Sequence, residues 1–496
     1  MYRKSQNPDT PEEAFELSSE EKLCGENRWV ILAKLIPWTE FEEEYAQIFS
    51  EEMGAPAKPF RMALGALIIK EKLGISDRET VEQIRENPYL QYFIGQKSYS
   101  SEAPFDPSMM VHFRQRIGEE FLGRINKSMV KKAQGFGKEA TEKKLGEAGE
   151  REDGQNNKGK LLIDATVAPA DIKYPTDFDL LNSVRKDTER IVDKMHEQQK
   201  VKGEKRPRTY RKQARKEYLK FSKRKKKSRK ERINAVKKQL KYVKRNLEYI
   251  EKLIETGVSL ECLSHRQYRR LLVGVEIYRQ QQWMLENQTE RIDDRIVSLS
   301  QPHVRPIVRG KARANTEFGA KISVSCWDGY VFVERISWDN YNETGDLKMQ
   351  VEEYKELTGH YPKSVHADRI YRTRANRAWC KERGIRLSGP PLGRPPKKVS
   401  KEQKRQERED ERVRNEIEGK FGQGKRRFGL GRVMTKLAQT SETSISLTFL
   451  VMNLVKLLRQ FYCLFLCQIS QNSDFVFQII RMSYIKLFYT KKIAYA

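Results

Sequence analysis

Between residues 233 and 254 the apolar side chains Ile233, Val236, Leu240, Val243, Leu247, Ile250 and Ile254 recur in alternating steps of three and four. That spacing lines one stripe of a helix about six turns long, a stripe that is stable only when buried against another helix. After a break at "TGVSLECLSH", Leu271, Val275, Tyr278, Leu285, Ile292, Ile296 and Leu299 follow similar spacing, with Gln282 and Thr289 as gaps. An antiparallel helical hairpin is the expectation, serving as a scaffold or dimer contact. Its approach from Lys205, "KRPRTYRKQARKEYLKFSKRKKKSRKERI", is dense enough in charge to track phosphates, although such runs are more often only solvated.

The hairpin interrupts a different pattern. Ahead of it, "KGKLLIDATV" reads as a short apolar strand ending at Asp164. Behind it, "FGAKISVSCWDGYVFVERISWDN" reads as two strands joined at Asp328-Gly329. A helix from about Thr344 to Leu357 leads to the strand "KSVHAD", closed by Asp368, then to a helix across "RANRAWCKERG" and the short strand "IRLSG". A Pro- and Lys-rich spacer, "PPLGRPPKKVSKEQK", precedes a charged helix opening near Glu402. Upstream, residues 60–135 show helical spacing: a helix ending near Leu73-Gly74, a cap at Ser76/Asp77, a stop near Pro88, and a second start at Asp106 with Pro107 in the first turn. Paired helices of this kind can read DNA, though most are packing units.

Three acids stand out in this order. An aspartate closing a strand is ordinarily a turn or helix cap, and Asp368 alone says no more than that. With Asp164 and Asp368 ending neighbouring strands of one sheet, and Glu418 projecting from a helix beside it, the three can share divalent ions, Mg²⁺ or Mn²⁺ and two in number, because such ions need only a few carboxylates plus substrate oxygens. Arg414 lies four residues before Glu418 and Lys425 seven after, so on an unbroken helix all three share one face. The bland alternative is an ordinary Arg414–Glu418 ion pair; Gly422 and Gly424 also argue against an unbroken helix. Arg414, Lys425 and Arg372, which follows Asp368 by four residues, are the candidate phosphate contacts. "GKFGQGKR" has the glycine and lysine spacing of a phosphate-cradling loop, but Arg426 replaces the required Ser or Thr and no apolar strand precedes it.

Charge supports a polyanionic partner. In 496 residues, 96 Lys and Arg face 68 Asp and Glu, a formal charge of +28, and residues 11–56 are acid-rich while 199–245 are densely basic. Six scattered cysteines and an N-terminus without an apolar signal core lead to the expectation of a reduced, cytoplasmic protein. Cys463 and Cys467 have no histidine at zinc-site spacing and are expected as buried thiols. "ISLTFLVMNLVKLLRQFYCLFL" is interrupted by Asn453, Lys456, Arg459 and Gln460, so a buried amphipathic helix, with no membrane association, is expected there.

"LLIDAT", "HADRIYRT" and "RNEIEGKFGQGKRRFGL" resemble the three acidic motifs of bacterial insertion-sequence transposases of the DDE type, the last through Arg414, Glu418 and Lys425. The family's signature often has a tyrosine three residues before the arginine, where this chain has Glu411. "SDRETVEQIRENPYLQYFIG" with "PFDPSMMVHFRQRIG" is similar to the helical domain preceding the core in that group. The resemblance implies an α/β chain: a ribonuclease-H-like mixed sheet flanked by helices, interrupted by the basic helical hairpin and preceded by an all-α domain. The expected division is an N-terminal extension (1–37), a helical DNA-binding domain (38–135), a linker (136–160), the first part of the core (161–180), the insertion (181–302), the rest of the core (303–461) and a tail (462–496). It also implies cleavage at element ends and joining to target DNA by a homodimer at the bacterial nucleoid, with Asp164, Asp368 and Glu418 as catalytic metal ligands. A metal-dependent nuclease without transposition, and a non-catalytic nucleic-acid-binding protein with structural acids, remain the alternatives.

Overall fold

The structure is a computed structural model that describes residues 2, 11, 14–17, 22–50, 56–142, 157–199, 206–308, 316–389 and 400–471. Lys205, the spacer at 390–399, most of the expected linker and the tail beyond 471 lie outside the described residues.

Among the described residues seven helices come first: α1 (Arg28–Leu35), α2 (Trp38–Ala46), α3 (Phe60–Leu73), α4 (Asp77–Glu86), α5 (Pro88–Phe93), α6 (Met109–Ile117) and α7 (Glu119–Glu142). Their ends follow local chemistry. Gly74 at φ 69° terminates α3, and the Ser76 hydroxyl accepts from the Glu79 amide to start α4. Pro88 does more than stop α4: with Asn87 as cap it opens α5. Asp106 accepts from the Ser108 amide at 2.8 Å, yet α6 begins only at Met109, and Gly118 at φ 63° splits the stretch from Pro107 to Lys132 into two helices. The second of these, α7, continues into the stretch expected as linker.

The sheet contains β1 (Lys160–Pro169), β2 (Arg305–Val308), β3 (Thr316–Trp327), β4 (Tyr330–Ser337), β5 (Ser364–Ala367) and β6 (Arg386–Leu387). Its order is β2-β3-β1-β5-β6, with β4 also on β3; the β1–β3 pairing is antiparallel, and the β1–β5 and β5–β6 pairings are parallel. Asp328 (φ 49°) and Gly329 (φ 71°) turn β3 into β4 in the left-handed conformation that a two-residue hairpin requires. Asp164 does not end its strand. β3 pairs with β1 as far as Pro169, so backbone hydrogen bonding carries the strand five residues past the point where its apolar run stops.

Between β1 and β2 lie α8 (Asp177–Gln199), α9 (Arg211–Ser222), α10 (Arg229–Glu255) and α11 (His265–Glu286). The expected hairpin is in fact a three-helix bundle, because α10 packs chiefly on α8, and α11 on both. Leu181, Val184, Ile191, Val192 and Met195 of α8 fill the stripe of α10, while Ile233, Ile254 and Val275 stay exposed. Arg185, Glu189, Thr188 and Asn246 form a buried polar network inside the bundle, with Asn246 Nδ2 donating to Thr188 Oγ1 at 3.0 Å. The first helix of the bundle begins at Asp177, and α11 ends at Glu286, before Ile292, Ile296 and Leu299.

The chain closes with α12 (Asp346–Thr358), α13 (Arg374–Glu382), α14 (Lys401–Arg427) and α15 (Ala438–Gln471) around the sheet. A single hydrophobic core joins the N-terminal helices, the sheet and α15. Over Ala438–Cys463, α15 is long and apolar enough to cross a membrane, but most of that stretch is buried within the fold against α1, α3, α6, α7 and β4. Its Asn453 is satisfied there, accepting from the Val331 amide at 2.9 Å and donating to Val331 O at 2.8 Å and Asn126 Oδ1 at 2.9 Å. Cys463 is exposed, contrary to expectation, since it lies where α15 emerges from the core.

Candidate active site

The parallel register of β1 and β5 ends with Ile163 opposite Ala367, and the next residue on each strand is an aspartate, Asp164 and Asp368. β1 continues, so the Asp164 side chain is half-buried in the sheet; β5 stops, so Asp368 is exposed at the strand's end. Each carboxylate spends one oxygen locally: Asp164 Oδ1 accepts from the Ala165 amide at 2.8 Å, and Asp368 Oδ1 from the Arg369 amide at 2.6 Å. Asp368 is therefore also a cap, of the 3-10 turn Arg369–Tyr371. The second oxygen of each has no hydrogen-bond donor among the described residues, which leaves it for a ligand.

Burial pushes the Asp164 carboxyl up to about 6, and the neighbouring charges of Asp368 and Glu343 push the same way, against the Ala165 amide and Arg414. Two carboxylates that repel each other at a half-buried position suit a divalent cation, which relieves the repulsion and takes oxygen ligands. The donor set fits Mg²⁺ or Mn²⁺ at Asp164 and Asp368.

Glu418 stands differently. α14 is unbroken from Lys401 to Arg427 despite Gly419, Gly422 and Gly424, because Ser400 and Gln403 form a capping box and Ile417, Phe421 and Gly424 are buried. A side chain at Gly424 would press on Leu430 and Met452 at 3.2 and 3.4 Å, so its glycine serves helix packing. Arg414, Glu418 and Lys425 thus lie on one continuous helix. The Arg414 charge is near enough to draw the Asp164 carboxyl down, but the Glu418 carboxylate is half-exposed and pairs with Arg414 at 3.3 Å. Among the described residues no group of three or more His, Cys, Asp or Glu is gathered closely enough to hold a metal ion. The structure brings Asp164 and Asp368 together, whereas Glu418 is engaged by Arg414 and is not among the charges acting on Asp164.

Arg372 does not face the carboxylates. Beyond the turn Arg369–Tyr371 it lines a cavity beside β6, where its guanidinium lies against Gly389 and beside Arg377. Glu343 was not legible in sequence as a site residue. It opens the 3-10 turn Glu343–Gly345, which packs on the turn after Asp368, and its carboxylate pairs with Lys321 at 2.5 Å. An acid starting a helical turn is ordinary N-terminal chemistry, so nothing local marked it. Tyr371, three residues past Asp368, is fully buried, its hydroxyl has no partner among the described residues, and burial with Glu343 and Asp164 nearby keeps its proton far above the usual phenol range.

The fold and site thus define an α/β protein whose mixed sheet delivers two adjacent aspartates beneath an arginine-bearing helix. Residues 365–455 match the family model described as transposase DDE domain, and residues 17–116 match that of transposase domain (DUF772). Both matched stretches are thus similar to transposase domains, the C-terminal one to the DDE type. A stretch of 148 residues is 34% identical to the uncharacterized protein ORF8 in the nfe locus of Rhizobium meliloti, covering 30% of this chain and 64% of that protein. No solved structure matches the chain.

Proposed function

We propose that the protein is a DNA transposase that cleaves phosphodiester bonds at the ends of an insertion sequence and joins the freed 3′ ends to target DNA by divalent-metal-dependent phosphoryl transfer. The observation that carries this reading is the placement of Asp164 and Asp368 at the end of two adjacent parallel strands, with the charge of Arg414 nearby, inside a chain that matches a DDE domain. The sheet order, with one antiparallel partner and one parallel partner of β1, supports the ribonuclease-H-like reading of the core.

Asp164 and Asp368 would hold the metal through their uncommitted oxygens, with Glu418 joining once a phosphate takes its place on Arg414. When bound, the metal supplies a nucleophile at neutral pH and stabilises the leaving oxygen. Arg414 and Lys425 orient the scissile and flanking phosphates, and the half-buried position of Asp164 excludes water from one side of the pair. Both steps are phosphoryl transfers in which the protein contributes position and charge. Two copies, one per element end, form the active complex in this reading, which operates in the cytoplasm.

The test uses the full chain, Mg²⁺ and a plasmid carrying the gene with its flanking DNA. Asp164→Asn and Asp368→Asn should each lose cleavage by at least about a thousandfold while keeping DNA affinity. Cleavage without joining by the parent chain would favour a plain nuclease, and binding with no metal-dependent cleavage would leave a binding protein.

A further inference from the structure

Beside β6, a cavity of about 350 Å³ is lined by Arg372, Arg377, Lys381 and Arg386 and floored by Cys380 and Leu387. Arg386 is already committed: it makes a bidentate pair with Asp410 of α14 at 2.7 and 2.8 Å, and Asp410 also accepts from Gln406 at 3.0 Å. The other two arginines are not. Nε and Nη1 of Arg372 and Nε of Arg377 are buried donors with no acceptor among the described residues. Buried guanidinium donors left unpaired are costly, and two such groups side by side repel each other; an oxyanion accepting from both removes both penalties. Room for Arg372 is reserved by Gly389, at φ 109°, where a side chain would come within 3.1 Å of Nη1.

The cavity's place in the fold identifies the anion. Asp410, Arg414 and Glu418 stand at four-residue steps along one face of α14, about 6 Å apart along the axis. Asp410 pairs with Arg386 of the cavity wall, and the charge of Arg414 acts on Asp164. Arg372 itself follows Asp368 by a single 3-10 turn. The cavity and the carboxylate pair are therefore joined by two short stretches of chain, the 3-10 turn Arg369–Tyr371 and the Asp410–Arg414 step of α14.

We propose that Arg372 and Arg377 bind a backbone phosphate of the DNA strand whose neighbouring phosphodiester lies at Asp164 and Asp368. The proposal rests on the DNA-processing reading above and adds to it a second phosphate subsite on the β6 side. Two measurements on the full chain test it, both in a background where Lys225, Lys226 and Lys227 are alanine so that the basic arm does not mask the site. A fluorescein-labelled duplex of arbitrary sequence is titrated across salt concentration: Arg372→Ala and Arg377→Ala should each reduce the slope of log affinity against log salt, the double variant by about 0.9 for the one shared phosphate, and Arg372→Lys should keep it. Phenylglyoxal modification, read by mass spectrometry, should label Arg372 and Arg377 in the free protein and be blocked by the duplex. Unchanged slopes in both alanine variants, or protection by inorganic phosphate but not by duplex, would overturn the subsite. Absence of any salt-dependent DNA binding by the parent chain would instead overturn the DNA-processing reading. Should Arg372→Ala unfold, Arg377→Ala and the labelling still decide.

Discussion

Asp164 and Asp368 each follow directly on a residue of the last parallel pair between β1 and β5, Ile163 opposite Ala367. That register is what makes two acids, separated by 204 residues of chain, immediate electrostatic neighbours. The difference between them follows from the same sheet: β3 continues to pair with β1 beyond Asp164, whereas β5 ends, so one carboxylate is sheltered and the other open to a substrate.

Tyr371→Phe should retain cleavage. The ring is fully buried and its hydroxyl is unpartnered, so phenylalanine keeps the packing and removes a buried polar atom. Stability should be unchanged or higher by about 1 kcal/mol in chemical denaturation. A protein–DNA adduct trapped at Tyr371, or cleavage that persists in chelator, would replace the metal mechanism by a covalent one.

The basic stretch expected from Lys205 to Arg232 presents a row of exposed cations, Lys223 to Lys227, between α9 and α10. Changing Lys225, Lys226 and Lys227 to alanine should lower the salt slope of DNA binding by up to about 2.7, roughly 0.9 for each phosphate that is no longer neutralised, without changing sequence preference. An unaltered slope in filter-binding titrations would show the run to be a solvated face only.

Asn453→Leu should cost about 2 to 4 kcal/mol in urea unfolding. The asparagine satisfies both backbone groups of Val331 and bonds Asn126, tying α15 to β4 and α7; leucine would leave these buried groups short of partners. A loss below about 0.5 kcal/mol would mean the network contributes nothing net.

Glu119, at the start of α7, has its carboxyl pushed up to about 7 by burial first and by Glu442 and Glu120 next. The folded state therefore binds this proton more tightly than the unfolded chain, and stability falls as pH rises from about 4.5 to about 7. Glu119→Gln should raise stability at pH 8 by on the order of 2 kcal/mol, with the two proteins converging near pH 4. Parallel thermal-unfolding curves across that range would contradict the assignment.

Local chemistry was readable directly. Gly74, Ser76, the Asp328-Gly329 turn and the opening of α14 near residue 402 depend on side chains within a few positions, and the elements form where those residues direct them. The order of acids along the chain was equally legible, as was the burial of the helix carrying Asn453. What sequence alone left open was every relationship set by distant partners. The apolar run of β1 stops at Asp164, but the strand does not, because β3 supplies hydrogen bonds that the run itself does not encode. The stripe of α10 announced that a helix must cover it without saying which one, and α8 does so. Arg372 and Arg414 are equally plausible phosphate contacts by spacing; a single 3-10 turn sends one to the β6 cavity, and an unbroken helix places the charge of the other near Asp164. Periodicity and capping are properties of neighbours in sequence, whereas strand register, helix partners and side-chain direction follow from which buried surfaces meet when the whole chain packs.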